Sequence, residues 1–301
     1  MLTHEEMVGL QAEKHELVNG KTFRSKEEYV LHLMHQSAYV QASTVASGRS
    51  VLDLGCNTGY GTQILAKSAK RVVGVDVSQG AISAARQQYG DTGIEFQLID
   101  GEQLPFADSE FDVIISCQVL EHIVDYNVYM GELKRVLSQA GIVVLTTPNS
   151  ILRLDPGMKP WNPFHVREFT HRQLKSLLDN YFSNVEIRGL FAKEELYETE
   201  RHRVACAREA ARAKQKRWSD PLRSLVKTIL PESAMARISA LKARSSIRAM
   251  EFDKSFVDRF GVGDFFYRAD GLDQALDFMA ICAGKLPLKE LPQEFVSSNL
   301  G

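Results

Sequence analysis

Asp53-Leu54-Gly55-Cys56-Asn57-Thr58-Gly59-Tyr60-Gly61 decides how the rest of this 301-residue chain is read. An apolar strand start, Val51-Leu52, runs into it, and an amphipathic helix from Thr62 to Lys67 follows. The three glycines let the backbone turn tightly and approach a bound nucleotide closely at a helix N-terminus. Their spacing, G-x-x-x-G-x-G, is not the G-x-G-x-x-G that cradles a pyrophosphate. Asp53, two residues ahead of Gly55, would repel a phosphate, so the ligand that suits this loop carries positive charge. An ordinary strand-turn-helix loop has the same look, and the residues that follow choose between the two readings.

Arg71-Val72-Val73-Gly74-Val75-Asp76 reads as a second buried strand ending in an acid, 21 residues beyond Gly55. An acid there can take both ribose hydroxyls of a nucleoside on its two oxygens. Glu95-Phe96-Gln97-Leu98-Ile99-Asp100-Gly101 reads as a third strand ending in an acid, placed to accept an adenine amino group. This pattern resembles motif I and its sequel in the class I S-adenosylmethionine-dependent methyltransferases, whose cofactor carries an ammonium and a sulfonium but no phosphate. The resemblance implies that S-adenosyl-L-methionine is held by Asp53 at the methionine amine, Asp76 at the ribose and Asp100 at the adenine. It implies Gly55, Cys56, Asn57 and Gly59 as the loop beneath the cofactor. Val77, Gly101, Glu102 and Gln118 complete the set.

Charged residues make up 25% of the chain and the formal net charge is −2, so no global field points to nucleic acid or membrane. The four cysteines, Cys56, Cys117, Cys206 and Cys282, are scattered without a C-x-x-C pair, which suggests reduced thiols. The N-terminus lacks a basic n-region and an apolar h-region, and no apolar run approaches spanning length, so the expected location is cytoplasmic.

Residues 1–48 read as a helical cap, with helices at Glu5–Leu17 and Lys26–Ser47. Alternating β and α patterns fill 49–191, the expected catalytic core, and imply a parallel sheet with crossover helices. Strands are expected at 49–54, 72–76, 95–99, 111–116, 142–147 and 184–190, with helices near 60–69, 79–89, 127–137 and 170–180. Asp91-Thr92-Gly93 and Ser138-Gln139-Ala140-Gly141 read as turns. Residues 277–301 supply a seventh strand, Phe278–Ala283, and a tail; in the resembling family that strand is antiparallel and closes the sheet. The expected fold is therefore α/β, a Rossmann-like seven-stranded sheet with a helical basic insertion at 192–276. Within 201–250 stand 13 Lys/Arg against 3 Asp/Glu. The stretch 219–250 opens like a capped helix and sets Leu222, Leu225, Val226 and Ile229 on one face beside Arg223 and Lys227. It reads either as a membrane-surface contact at the inner face of the membrane or as a solvated basic face packed on the main domain.

The fourth strand, Phe111–Ser116, runs into Cys117-Gln118-Val119-Leu120-Glu121-His122-Ile123. Ligands of open α/β sheets bind outside the strand C-termini, which places Glu121 and His122 beside a transferable methyl group. Thr146-Thr147-Pro148-Asn149 ends the fifth strand, and Asn162-Pro163-Phe164-His165-Val166-Arg167-Glu168-Phe169-Thr170 follows a loop. These segments resemble those of ubiquinone-pathway O-methyltransferases and small-RNA 2′-O-methyltransferases, which bind a divalent cation through an E-x-x-E-H loop and a later histidine. The resemblance assigns Glu121, His122 and His165 to a Mg or Mn ion, with Gln118 where the first Glu would stand. That departure removes one negative charge, although an amide oxygen still coordinates. Independently, a hydroxyl is a poor nucleophile until deprotonated, and a cation lowers the pKa of a coordinated oxygen by several units. Without a cation, His122 or His165 would serve as general base.

In the leader, His32, His35 and Tyr39 share one helix face. Related glycan methyltransferases cap the cofactor pocket with this helix, which makes Tyr29 and His32 pocket candidates as well as packing residues. Trp161 is either a platform for a sugar ring or a loop anchor. The whole pattern resembles bacterial methyltransferases of cell-envelope and polysaccharide pathways and implies O-methylation of a saccharide or lipid-linked glycan, possible also by a homo-oligomer. The alternatives are a quinone or phenol acceptor and, with phosphate contacts from the basic segment, an RNA ribose; nucleic acid is the less favoured partner.

Overall fold

The computed structural model describes residues 23–218 and 254–284. The expected helix at 5–17, the basic stretch 219–250 and the tail beyond 284 lie outside these residues. Helix α1 (Lys26–Ala46) starts where the Ser25 side chain accepts from the amide of Glu28, with Glu27 and Glu28 in its first turn complementing the helix dipole. After it come β1 (Ser50–Leu54), α2 (Tyr60–Ala66), β2 (Arg71–Asp76), α3 (Gln79–Tyr89), β3 (Glu95–Leu98) and β4 (Phe111–Cys117). They are followed by α4 (Tyr126–Val136), β5 (Leu137–Pro148), α5 (Ser150–Arg153), α6 (His171–Leu178), β6 (Asn184–Ala192) and α7 (Glu194–Trp218). Helix α8 (Lys254–Arg259), β7 (Phe265–Arg268) and β8 (Asp277–Ala283) complete the described chain.

The strands form one sheet in the order β3-β2-β1-β4-β5-β8-β6-β7. Strands β1 to β5 pair in parallel, and β8 inserts antiparallel between β5 and β6. This is the mixed α/β, Rossmann-like arrangement the sequence implies, with one strand more than the expected seven. The addition is β7, which pairs antiparallel with β6 at the sheet edge. It falls inside 192–276, where a helical insertion was expected, and its aromatic run Phe265-Phe266-Tyr267 suits a pleated edge. The Ser138–Gly141 turn is absorbed into β5, where the ladder with β4 slips between Phe111 and Val113.

Both sheet faces are covered, which is why the central strands read as unbroken apolar runs. Val51, Val113, Ile115, Val144 and Ile281 pack with the buried stripe Val30, Leu33, Met34, Ala38 and Ala42 of α1. Alternate residues, Leu52, Ile114, Val143, Leu145 and Phe278, pack on the other face with Met130 and Leu133 of α4 and Leu174 and Leu178 of α6. The carboxyl ends of the parallel strands are left to build a cleft.

Candidate active site

The β1–α2 loop depends on left-handed backbone at three residues, Gly55 (φ 80°), Asn57 (φ 48°) and Gly59 (φ 85°). Its entry is fixed to β2, because the amides of Gly55 and Cys56 both donate to the carbonyl of Val75, at 2.8 and 2.9 Å. A Cβ at Gly55 would stand 2.4 Å from Cγ2 of Val119, and one at Gly59 2.8 Å from the Phe96 ring. Neither position admits a side chain without displacing a neighbour. The loop floors a cleft with about 1040 Å³ of empty space, its open mouth included.

Gly55, Cys56, Asn57, Asp76, Val77, Gly101, Glu102, Gln118 and His122 line the cleft, as do His35 and Tyr39 of α1. Asp76 stands at the tip of β2 with one oxygen accepting from Asn57 N at 2.9 Å and the other from Ser78 N at 2.8 Å. Each carboxylate oxygen accepts more than one hydrogen bond, so capacity for hydroxyl donors remains. Burial raises its pKa, against the pull of those backbone amides.

Asp53 and Asp100 are placed differently from the sequence expectation. Asp53 is fully buried beneath the loop and is not part of the cleft lining. It accepts from Thr62 Oγ1 at 2.6 Å and Tyr39 Oη at 3.2 Å. Burial pushes its carboxyl up to about 7, with the two hydroxyls working the other way. Asp100 is exposed and outside the lining, because β3 ends at Leu98 and the carboxylate turns back on its own chain. Its Oδ1 accepts from Glu102 N and Gln103 N at 2.8 and 3.1 Å, an Asx turn that aims Gly101 and Glu102 into the cleft instead.

After β4 the chain takes a left-handed step at Gln118 (φ 57°) and one 3₁₀ turn, Leu120–His122. The loop containing residues 162–169 is tied to this turn by Val166 N and Arg167 N, which donate to the Glu121 carbonyl at 2.8 and 3.2 Å. Glu121, His122 and His165 thereby converge, each offering a ligand atom within 4.8 Å of the others. The His rings meet edge to face at 4.9 Å. Nδ1 of His122 donates to the Phe164 carbonyl at 2.9 Å, so its lone pair lies on Nε2. Glu121 accepts from Thr147 Oγ1 at 2.9 Å on Oε2, while its buried Oε1 has no hydrogen-bond partner among the described residues. Burial raises the Glu121 pKa, opposed by the two histidines. A buried orphan oxygen beside two imidazoles is a donor set that could hold a divalent cation. Gln118 turns its amide nitrogen away, to Asp277 Oδ2 at 3.1 Å and Thr146 Oγ1 at 3.3 Å.

Tyr29 and His32 do not reach the lining. Tyr29 Oη donates to the carbonyl of Phe260 at 2.5 Å, and His32 packs between the rings of Phe23 and Tyr60. His35 and Tyr39, on the same helix face, occupy the pocket side. Trp161 is an anchor, its ring 4.1 Å from the Arg153 guanidinium. Sequence reasoning missed Arg153, Glu168 and Asp277, buried charged residues around the centre. Only Glu168 carried a local signal, three residues beyond His165.

Fold and cleft define a Rossmann-like domain with its ligand site at the carboxyl edge of the sheet. Residues 52–145 match the family described as a methyltransferase domain, and the chain is similar to S-adenosylmethionine-dependent methyltransferases. It is 36% identical over 159 residues to a probable S-adenosylmethionine-dependent methyltransferase of Mycobacterium tuberculosis, covering 52% of this chain and 57% of that one. It is 32% identical over 120 residues to a ubiquinone biosynthesis O-methyltransferase of Methylococcus capsulatus, covering 38% of this chain and 50% of the relative. The chain thus spans about half the length of these curated relatives. A solved S-adenosylmethionine-dependent methyltransferase of Mesorhizobium loti, 21% identical, superposes on 55% of this chain and 88% of its own with a TM-score of 0.43. No described helix is long and apolar enough to cross a membrane.

Proposed function

We propose that the protein is an S-adenosylmethionine-dependent O-methyltransferase whose acceptor is a saccharide hydroxyl, alone or on a lipid-linked glycan. The observation that carries the O-methyl reading is the buried, unpartnered Oε1 of Glu121 beside His122 and His165, at a turn whose His122 also lines the cofactor cleft. Such a centre suits a hydroxyl that must lose its proton. The saccharide part of the reading rests on the L-E-H, T-T-P-N and N-P-F-H-V-R-E-F segments and their likeness to polysaccharide-pathway enzymes.

Asp76 fits a ribose, and Gly101 and Glu102 border the remaining part of the cleft. S-adenosylmethionine, when bound, supplies a methyl group on a sulfonium that is displaced in line. The cleft residues align donor and acceptor, which is the larger part of such catalysis. Glu121, His122 and His165 would hold a divalent cation; that ion supplies a lowered pKa to the acceptor hydroxyl. Glu121 takes the charge-balancing position, and the His122 carbonyl contact keeps its imidazole aimed inward.

A quinone or phenol acceptor is the second reading. The similarity to a ubiquinone biosynthesis O-methyltransferase favours it, as do four exposed apolar side chains, Val124, Val128, Phe164 and Val166, on segments flanking the centre. Methyl-labelled cofactor offered to oligosaccharide, lipid-linked glycan and isoprenoid phenol acceptors separates the two. Label on a sugar hydroxyl supports the proposal, and label on phenols alone overturns it. His165→Ala should lower turnover by about 10²-fold or more, in line with loss of acid–base or cation assistance. Unchanged turnover in that variant and after chelation would remove the centre from the reaction.

A further inference from the structure

His165 can turn a lone pair toward the Glu121–His122 centre through Nε2 only when its proton sits on Nδ1. Nδ1 lies 2.7 Å from Oε1 of Glu168, whose other oxygen accepts from Nε of Arg153 at 2.9 Å. The three side chains are 5%, 0% and 9% exposed, so water does not substitute for these contacts. The Trp161 ring covers the guanidinium at 4.1 Å. Arg153 has only hydrogens to give, and whatever stands at position 168 must turn an acceptor to it. A carboxylate has an acceptor at each end and therefore turns one to His165 as well. An acceptor facing Nδ1 demands a proton there.

We propose that Arg153 and Glu168 are positioning residues that fix the tautomer and ring orientation of His165. Neither touches the reacting atoms; they act through the imidazole. The H-V-R-E segment then delivers a ligand histidine together with the carboxylate that holds its proton. This rests on the reading of Glu121, His122 and His165 as a cation centre, and its test has a part that does not.

Glu168→Gln keeps the shape of the side chain and changes the logic. The amide must turn its oxygen to Arg153, which leaves NH₂ facing Nδ1, and a donor there requires the proton to move to Nε2. Adding Arg153→Met frees the amide to turn its oxygen back to His165. Imidazole nitrogen shifts of His165, assigned by their loss in His165→Ala, should report Nδ1–H in the wild type, Nε2–H in Glu168→Gln, and Nδ1–H again in the double variant. Calorimetric affinity for Mn²⁺ should fall about 10- to 100-fold in Glu168→Gln and recover in the double variant. Affinity for S-adenosylhomocysteine, unchanged throughout, verifies that each variant is folded. An unchanged tautomer in Glu168→Gln, or no recovery in the double variant, overturns the proposal. If the wild type binds no Mn²⁺, the cation reading falls, while the nitrogen shifts still decide the assignment of Arg153 and Glu168.

Discussion

At the scale of single residues, the β1–α2 loop that floors the cleft is held from below by a carboxylate that is not part of the cleft lining. Asp53 joins β1 to α2 through Thr62 and to α1 through Tyr39, so one side chain ties three elements. Its pKa, pushed from 3.8 up to about 7 by burial, means that the folded protein keeps a proton the unfolded chain has already released across that interval. The folded state binds more protons there, and stability falls as pH rises through the window. Asp53→Asn removes the titration while retaining an oxygen for one hydroxyl and an NH₂ that the other hydroxyl can accept from. Its Tm should therefore depend less on pH between about 4 and about 7 than that of the wild type, by up to one proton in the linkage slope. Calorimetric scans at several pH values check this, and an undiminished slope would assign the pH dependence to other groups.

At the scale of elements, α1 and α2 meet tightly at Gly61. A Cβ on Gly61 would lie 2.1 Å from Cζ of Tyr39, whose ring is buried and hydrogen-bonded and cannot swing aside. Gly61→Ala should gain slightly in helix propensity but lose about 1–3 kcal/mol by forcing the helices apart. Denaturant unfolding measures the balance, and a neutral or stabilised variant would show that α1 shifts without cost. The glycine itself was legible in the sequence as part of a nucleotide loop, although its second task, admitting a ring from another helix, was not. Legibility followed burial. Strands covered on both faces announce themselves as apolar runs, and the parallel core was read nearly to its ends. β7 escaped because four residues at an edge, with Phe265 and Tyr267 buried and Phe266 between them exposed, offer too short a pattern. Glu121, His122 and His165 were legible because two loops carry them as motifs. The turn of Asp100 back onto its own chain was not legible, because an Asx turn begins only two residues beyond the end of β3.

At the scale of the whole molecule, the reversed direction of β8 has a chemical result. A parallel strand in that position would bring its last residue to the cleft edge of the sheet; β8 brings its first, Asp277, paired in register with Pro148 at the end of β5. A residue from the far end of the described chain thus anchors Gln118, 159 positions earlier, and no local pattern could have revealed it. The contact supports a left-handed backbone at Gln118, a conformation that side-chain-bearing residues adopt only when held. Burial drives the Asp277 pKa well upward, partly offset by Arg153, with Glu121 adding to the rise. A raised carboxyl pKa makes the folded state costlier to deprotonate, so the native contribution of Asp277 weakens as pH rises. Asp277→Asn keeps an oxygen for the Gln118 amide and discards that pH-dependent cost; at pH 8 it should equal or exceed the wild type in stability. Asp277→Ala deletes the acceptor, leaves the half-buried Gln118 amide nitrogen with Thr146 Oγ1 as its remaining side-chain partner, and should cost about 1 kcal/mol. It should also weaken S-adenosylhomocysteine binding, because Gln118 lines the cleft. Denaturation and calorimetry on both variants give the comparison. Equal losses in the two would trace the effect to charge, and no loss in Asp277→Ala would mean that Gln118 keeps its place without β8.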